Sequence, residues 1–92
     1  MKFSDQVKDY VRRLHPGHRH TLKTALLALD SGKSSDTEPL TGNLEGFYRL
    51  RVGKFRIIYR HNDDSEIECV FIETRNLVYE RFLSMREQLG EN

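Results

Sequence analysis

The chain of 92 residues has no long apolar run, no low-complexity tract and no pair of cysteines. Its apolar runs, such as ALLAL at 25–29, are far too short to span a bilayer. Residues 1–10 lack the long apolar stretch of a secretory signal. Cys69 is the sole cysteine and cannot form an internal disulfide, so nothing indicates an oxidising compartment. These absences predict a cytoplasmic protein with no membrane association.

The composition is that of a soluble globular protein, with 37% hydrophobic and 32% charged residues. The length suits one modest core, which predicts a single domain over residues 1–92. The net charge of +1 hides an asymmetry. Residues 1–30 hold six Lys/Arg against three acids, residues 47–60 hold five against none, and residues 61–92 hold three against eight. The placement of charge is therefore more informative about partners than its sum.

Two amphipathic helices are predicted in the N-terminal third. Ser4 and Asp5 begin the first, because a serine oxygen caps free amides and a carboxylate suits the positive end of a helix. Its apolar positions are Val7, Tyr10, Val11 and Leu14. The tripeptide HPG at 15–17 ends it, and Gly32 ends the second helix. The apolar positions of the second helix are Leu22, Ala25, Leu26 and Leu29. Together they predict a helical hairpin.

The rest of the chain predicts a sheet and one more helix. Residues 33–43 have the composition of a loop, and after them the apolar period changes to two. The segment HNDDS at 61–65 predicts a turn, and EIECVFIE at 66–73 predicts a central strand because its apolar residues fall on both faces. The apolar positions of the last helix are Val78, Phe82, Met85 and Leu89. The fold class is α+β: two N-terminal helices packed on a three-stranded antiparallel meander, with a C-terminal helix. A short extra N-terminal strand at Phe3 stays open.

A two-residue turn at 53–54 decides which side chains share a face of the central hairpin. Glycine at the first position suits a type II′ turn, so Val52 pairs with Phe55 and Arg51 stands opposite Arg56. One face is then apolar and can pack on the helices: Tyr48, Leu50, Val52, Phe55, Ile57 and Tyr59. The other face carries Arg49, Arg51, Arg56 and Arg60, with Phe47 and Ile58 between them.

Two interpretations of this basic face are open. The ordinary one is a solvated face with local ion pairs, in which Glu68 or Glu73 on the next strand relieves a cross-strand repulsion of about 0.2–1 kcal/mol. The other is a polyanion site, since arginine forks match phosphate geometry and aromatic neighbours can receive bases. The absence of any acid among residues 47–60 favours the polyanion site, because a surface made only for solubility mixes both signs.

Other reactive side chains are better explained by structure than by chemistry. The three histidines of HPGHRH at 15–20 have no cysteine or acidic partners, so no metal site is predicted. His61 adjoins NDDS, which favours a hairpin-loop residue over an acid or base. Cys69 lacks an adjacent base and is predicted to be a small buried residue.

The string LTGNLEGFYRLRVGKFRIIY at 40–59, followed by ETRNLVYERF at 73–82, resembles the RelE/ParE superfamily of bacterial toxin–antitoxin toxins. More narrowly, it is similar to the RelE-type mRNA interferases. The likeness extends over nearly the whole chain. It implies a ribosome-dependent endonuclease that cleaves mRNA in the decoding site, next to 16S rRNA in the ribosomal A site. It also implies a cognate antitoxin as the protein partner.

The resemblance also implies roles for named residues. A ribose 2′-oxygen would attack the adjacent phosphorus, leaving a 2′,3′-cyclic phosphate and a 5′-hydroxyl. Arg56 would contact the scissile phosphate, Arg75 would assist the leaving group or the same phosphate, and Tyr79 would act beside the 2′-hydroxyl as base or orienting group. The residues implied to bind the RNA backbone are Arg49, Arg51, Lys54 and Arg60. Neither a metal nor another cofactor is implied.

Two other functions stay open at this point. One is a ParE-like inhibitor of DNA gyrase without nuclease activity, against which the pair Arg75 and Tyr79 argues. The other is a non-toxic relative whose basic face only binds an acidic partner.

Overall fold

The computed structural model describes residues 1–34 and 36–90 and has an α+β fold. Its elements are β1 (Lys2–Phe3), α1 (Asp5–Arg12), α2 (Pro16–Asp30), β2 (Thr37–Pro39), a 3₁₀ turn (Gly42–Leu44), β3 (Tyr48–Val52), β4 (Phe55–His61), β5 (Ile67–Thr74) and α3 (Val78–Gln88). The strands form one sheet in the order β1-β5-β4-β3-β2. β1 runs parallel to β5, and all other neighbours are antiparallel. The predicted class is confirmed, with five strands rather than the three of the predicted meander.

The boundaries of α1 and α2 follow from local capping. The Ser4 hydroxyl accepts a hydrogen bond from the Val7 amide at 3.2 Å and so caps α1. Nδ1 of His15 accepts from the Gly17 amide at 3.1 Å, while proline occupies the first position of α2. Gly32, with φ of +72°, follows the end of α2. None of the helices in the described parts of the chain is long and apolar enough to cross a membrane.

The central hairpin has the predicted register. Val52 pairs with Phe55 and Arg51 pairs with Arg56 across β3 and β4. Gly53 has φ of +57°, the value that the first central residue of a type II′ turn requires and that costs little only for glycine. The turn at 53–54 therefore determines which side chains share each face of the hairpin.

The segment 33–43, predicted to be a loop, also contains β2 and the 3₁₀ turn. The prediction was wrong there because three residues are too few to show a period of two. β2 pairs with the edge of β3 and places Glu38 opposite Arg49. Pro39 is tolerated because β2 is an edge strand. Ser35 lies outside the described residues.

Each face of the sheet has its own core. The first core lies between the sheet and α1 and α2: Val7, Leu22, Leu29, Leu50, Val52, Phe55, Ile57, Tyr59, Cys69 and Ile72. The second lies between the opposite face and α3: Leu44, Phe47, Ile58, Phe71, Val78 and Phe82. Ile58 is completely buried in the second core. The basic face of the hairpin is therefore partly covered by α3 rather than bare.

Two predictions for the C-terminal third need correction. Leu89, assigned to the apolar stripe of the last helix, is 66% exposed because α3 ends at Gln88. The third strand runs over Ile67–Thr74 instead of 66–73. Its interior position is confirmed, since β5 lies between β1 and β4.

The outer edge of β5 is completed by a side chain. β1 ends at Phe3, and the Ser4 amide still donates to the carbonyl of Cys69 at 2.9 Å. Further along, the Gln6 amide group donates to the carbonyl of Ile72 at 2.7 Å and accepts from its N–H at 2.9 Å. The carboxamide thus replaces a strand residue where β1 has ended.

Candidate active site

Four arginines project from one face of β3 and β4, here called the arginine face: Arg49, Arg51, Arg56 and Arg60. The register shows that they share this face with Ile58, whose side chain lies under α3. Tyr79, on α3, packs against the same core. The sheet therefore brings the predicted basic residues and the predicted tyrosine to one side of the molecule.

Acids from the β2 side of the sheet neutralise two of these arginines. Nε of Arg51 lies 2.9 Å from a carboxylate oxygen of Asp36. Arg49 lies 3.1 Å from Glu38 and 3.8 Å from Asp36, and its buried Nε has no hydrogen-bond partner. Arg49 and Arg51 therefore fit the first interpretation, a solvated face with local ion pairs.

The predicted contribution of Glu68 is confirmed at the far end of the arginine face. Nε of Arg60 donates to Glu68 at 3.0 Å, and this hydrogen bond lowers the pKa of the Glu68 carboxyl. The Arg60 guanidinium also lies 5.8 Å from the ring centroid of Phe47. Lys54, in the hairpin turn, lies 5.4 Å from the ring centroid of Phe55.

Arg56 is different because it forms no ion pair with a carboxylate in residues 1–34 and 36–90. Its guanidinium donates to two neutral groups, the carbonyls of Gly53 at 2.7 Å and Phe55 at 2.8 Å. Partial burial and then the positive charges of Arg49 and Arg51 lower the pKa of Arg56. A cation in this position can gain from an incoming anion, because no carboxylate among the described residues is bound to it.

Arg75 is tied to the hairpin turn by its backbone. Its N–H donates to the carbonyl of Lys54 at 2.9 Å, which holds the loop between β5 and α3 against the turn. The Arg75 side chain is exposed and forms no ion pair with the described residues. After burial and the two arginines of β3, two smaller effects act on the pKa of Arg56: the negative charge of the Tyr79 phenolate raises it and the positive charge of Arg75 lowers it.

Of the three residues expected to be catalytic, Arg56 and Arg75 lie beside the hairpin turn, and Tyr79 lies in the first turn of α3, four residues after Arg75. These three residues are here called the cluster. Arg51 joins them from across the ladder. Arg60 stands four residues along β4, about 13 Å away, and so belongs to the surrounding surface rather than to this cluster. This end of the arginine face thus combines several cationic side chains with one phenol.

Sequence reasoning missed the acids at 36 and 38 and the ion pair of Arg81 with Glu73. No periodicity marks β2, so its pairing with β3 could not be read from the sequence. Glu73 was one of two candidates, with Glu68, to relieve the arginine face, but its carboxylate accepts from Arg81 on α3 at 2.8 Å. Only the packing of α3 against β5 brings those two residues together.

His15, His18 and Cys69 make structural contacts. His15 caps α2, and the ring of His18 lies edge-on to Phe55 with centroids 5.3 Å apart. Within residues 1–34 and 36–90, no three metal-ligating side chains converge. His61 ends β4 instead of lying in the following loop, because β4 is one residue longer than expected. Cys69 is fully buried as predicted, and burial raises the pKa of its thiol to about 12.

A separate groove of about 670 Å³ lies on the helical side of the molecule. Its floor is apolar and includes Val7, Leu22 and Leu26. Its rim carries the cations Lys8, Arg12, Arg19 and Lys23. The predicted catalytic residues do not line this groove.

The family model described as "ParE toxin of type II toxin-antitoxin system, parDE" matches residues 2–76, and the chain belongs to this family. The resemblance to the RelE/ParE superfamily is thereby confirmed. The matched residues include Arg56 and Arg75 but end before Tyr79.

Solved structures of RelE-type toxins have the same fold. The RelBE2 toxin–antitoxin complex of Mycobacterium tuberculosis matches with a TM-score of 0.69 at 20% identity, covering 80% of this chain and 94% of that one. The RelB–RelE complex of Methanococcus jannaschii matches with a TM-score of 0.67 at 24% identity, covering 89% and 99%. The isolated RelE toxin of Escherichia coli matches with a TM-score of 0.63 at 20% identity, covering 91% and 94%. A comparison with curated protein sequences finds no match.

Proposed function

We propose that this protein, acting as one domain over residues 1–92, is an endoribonuclease toxin that cleaves mRNA in the decoding site of the ribosome. The proposal depends on the position of Arg56. Its guanidinium is half-buried on the arginine face without a carboxylate partner among the described residues, and the charges of Arg75 and Tyr79 act on it. A phosphodiester is an anion whose oxygens match the fork of an arginine side chain.

The proposed reaction is the one that the resemblance to RelE-type mRNA interferases implies. The ribose 2′-oxygen attacks the adjacent phosphorus, the bond from phosphorus to the 5′-oxygen breaks, and a 2′,3′-cyclic phosphate and a 5′-hydroxyl result. Tyr79 acts on the 2′-hydroxyl, either as the phenolate that takes its proton or as the phenol that orients it while solvent takes the proton. Arg56 stabilises the charge that develops on the phosphoryl oxygens, and Arg75 assists the departing 5′-oxygen, which takes a proton from solvent to become the 5′-hydroxyl.

The remaining cations of the arginine face would bind the RNA backbone on either side of the scissile phosphate. Arg49 and Arg51 already hold two carboxylates, so RNA binding exchanges Asp36 and Glu38 for phosphate oxygens. Each guanidinium would then have an anionic partner both before RNA binds, as a carboxylate, and afterwards, as a phosphate. Lys54 at the turn and Arg60 at the far end extend the same surface. Salt should therefore weaken RNA binding strongly.

The proposed setting is the cytoplasm, with translating ribosomes as the site of action. The cognate partner would be an antitoxin, as in the complexes of Mycobacterium tuberculosis and Methanococcus jannaschii, which contain antitoxin and toxin together. We propose that cleavage needs no metal ion, since forked cations already surround the phosphate. Cleavage that continues unchanged in excess EDTA, with ribosomes kept intact by a polyamine, would support this part of the proposal.

Primer extension on mRNA from translating ribosomes tests the nuclease function directly. Purified protein should produce new 5′ ends within codons in the A site, and the same mRNA without ribosomes should stay intact. The variants Arg56→Ala, Arg75→Ala and Tyr79→Phe should each lose most of this cleavage while keeping the wild-type thermal unfolding midpoint. Undiminished cleavage in all three would remove the catalytic assignment.

A second candidate is inhibition of DNA gyrase, favoured by the family model, which is that of ParE toxins and does not reach Tyr79. Pulse labelling after induced expression separates the two functions. Early loss of protein synthesis supports the nuclease, and early loss of DNA synthesis supports gyrase inhibition. Loss of neither supports a non-toxic relative whose arginine face only binds an acidic partner.

A further inference from the structure

Glu73 is the carboxylate that the sheet places nearest to Arg56. The two residues stand opposite each other in the ladder of β4 and β5 and therefore share a face. Side chains so paired have Cβ atoms about 4.5–5.5 Å apart, which is well within the reach of an arginine and a glutamate. An ion pair between them is what the register alone would predict.

The structure shows a different pairing. One Glu73 oxygen accepts from Arg81 at 2.8 Å, and the other accepts from the Tyr10 hydroxyl at 3.1 Å and the Thr74 amide at 3.0 Å. Glu73 is only 8% exposed, so its charge depends on these donors. Arg56 meanwhile turns away to the carbonyls of Gly53 and Phe55.

We infer that Arg81 is a positioning residue that occupies Glu73 and thereby leaves Arg56 available for an RNA phosphate. This inference rests on the proposed function of Arg56 but concerns a residue outside the catalytic cluster. Without Arg81, the buried carboxylate of Glu73 loses its cationic partner, and the cation opposite it on the same face is Arg56. A carboxylate bound to Arg56 would compete directly with the phosphate.

Cleavage kinetics test the competition. Arg81→Ala should lower the rate of mRNA cleavage on ribosomes by roughly tenfold or more, the range set by one hydrogen-bonded charge. The double variant Arg81→Ala/Glu73→Gln should recover most of that rate, because glutamine carries no charge to hold Arg56 yet still accepts from the Tyr10 hydroxyl. Arg12→Ala is the matched control, since it removes an arginine that lies 2.7 Å from Asp9 far from the site. A wild-type rate in Arg81→Ala, or a double variant as impaired as the single one, would overturn the inference.

A second measurement separates this inference from the nuclease proposal. The Nε–H signal of Arg56 in a heteronuclear NMR spectrum, assigned with Arg56→Lys, should move in Arg81→Ala and return in the double variant. A signal that does not move overturns the inference even if wild-type protein cleaves mRNA. A signal that moves and returns supports it even if the wild-type protein proves inactive as a nuclease.

Should Arg81→Ala fail to fold, Arg81→Lys replaces it. Lysine keeps the cation and should preserve the wild-type rate, and a loss as large as tenfold would then count against the charge-based role.

Discussion

Arg51 and Arg56 stand directly opposite each other on the hairpin, yet their charges are handled differently. Arg51 is held by Asp36 at 2.9 Å, whereas Arg56 donates to the backbone carbonyls of Gly53 and Phe55. Pairing one guanidinium with a carboxylate reduces the repulsion between two cations in register. The other keeps its charge free for a ligand. The two cations of one cross-strand pair are therefore in different electrostatic states, one bound to a carboxylate and one not.

Replacing Arg56 should damage catalysis more than stability. Arg56→Ala should lower the cleavage rate by about 10²–10³-fold, the usual cost of removing one group that stabilises transition-state charge. The cleavage rate of Arg56→Lys should lie between those of wild type and Arg56→Ala, because lysine keeps the positive charge but loses the forked guanidinium. Single-turnover cleavage on programmed ribosomes measures the rate, and circular dichroism checks the fold. Equal rates for Arg56→Ala and wild type would refute the role.

Releasing Arg49 and Arg51 from their acids should strengthen RNA binding. Asp36→Asn removes the carboxylate shared by both arginines. Affinity for a single-stranded RNA oligonucleotide should rise at low salt, and each new phosphate contact should steepen the plot of log K against log salt by about 0.7. Fluorescence anisotropy across a salt series measures both. Asp9→Asn, which removes a carboxylate bound to Arg12, should leave both unchanged. Weaker binding by Asp36→Asn would show that Asp36 orients the arginines rather than competing for them.

The stability of the protein should fall at high pH through Tyr10. Burial, and then the charge of Glu73 and its hydrogen bond, raise the pKa of Tyr10 to about 12. The folded-state pKa lies above the unfolded value of about 10, so the stabilisation is fully present below pH 10 and is lost as pH rises toward 12. Fully converted, this shift in pKa would correspond to about 2.7 kcal/mol of stability. The actual contribution is smaller, because the phenol is partly exposed and solvent screens its charge.

Urea unfolding at pH 8, 9, 10 and 11 checks this expectation. Wild type should lose stability over the upper part of the range, and Tyr10→Phe should lose less there because it has no phenol to ionise. At pH 8 the variant should be weaker by about 1 kcal/mol, from the hydrogen bond to Glu73. Identical pH profiles for the two proteins would contradict the assignment.

The edge of β5 should depend on a single carboxamide. Gln6→Ala leaves the N–H and carbonyl of Ile72 without their partners and should cost about 1–3 kcal/mol in the free energy of unfolding. Gln88→Ala makes the same substitution at an exposed position of α3 and should be nearly neutral. Thermal and urea unfolding of the two variants provide the comparison. A Gln6→Ala protein as stable as Gln88→Ala would mean that water satisfies this edge.

Much of the fold was accessible from local signals. Ser4, the HPG tripeptide and Gly32 set the ends of α1 and α2, because caps and breakers act within one turn of helix. Gly53 fixed the hairpin register, because only one residue type adopts its φ cheaply. β2 could not be predicted, since a three-residue edge strand exists through its pairing with β3 rather than through a pattern of its own. Leu89 followed the helical spacing but lies beyond the end of the core.

The candidate site likewise has one part that local sequence patterns predict and one part that they do not. Alternation along β3 and β4 was enough to gather the arginines on one face, because a strand's side chains point to alternate sides whatever else the chain does. Which of those arginines is neutralised was decided by residues distant in sequence: Asp36 and Glu38 come from the neighbourhood of an edge strand, and Arg81 comes from a helix. The sequence by itself therefore determined where the positive charge lies. Only the tertiary structure decided which guanidiniums stay free of carboxylates, because ion pairs form over a few ångströms of space that no local spacing encodes.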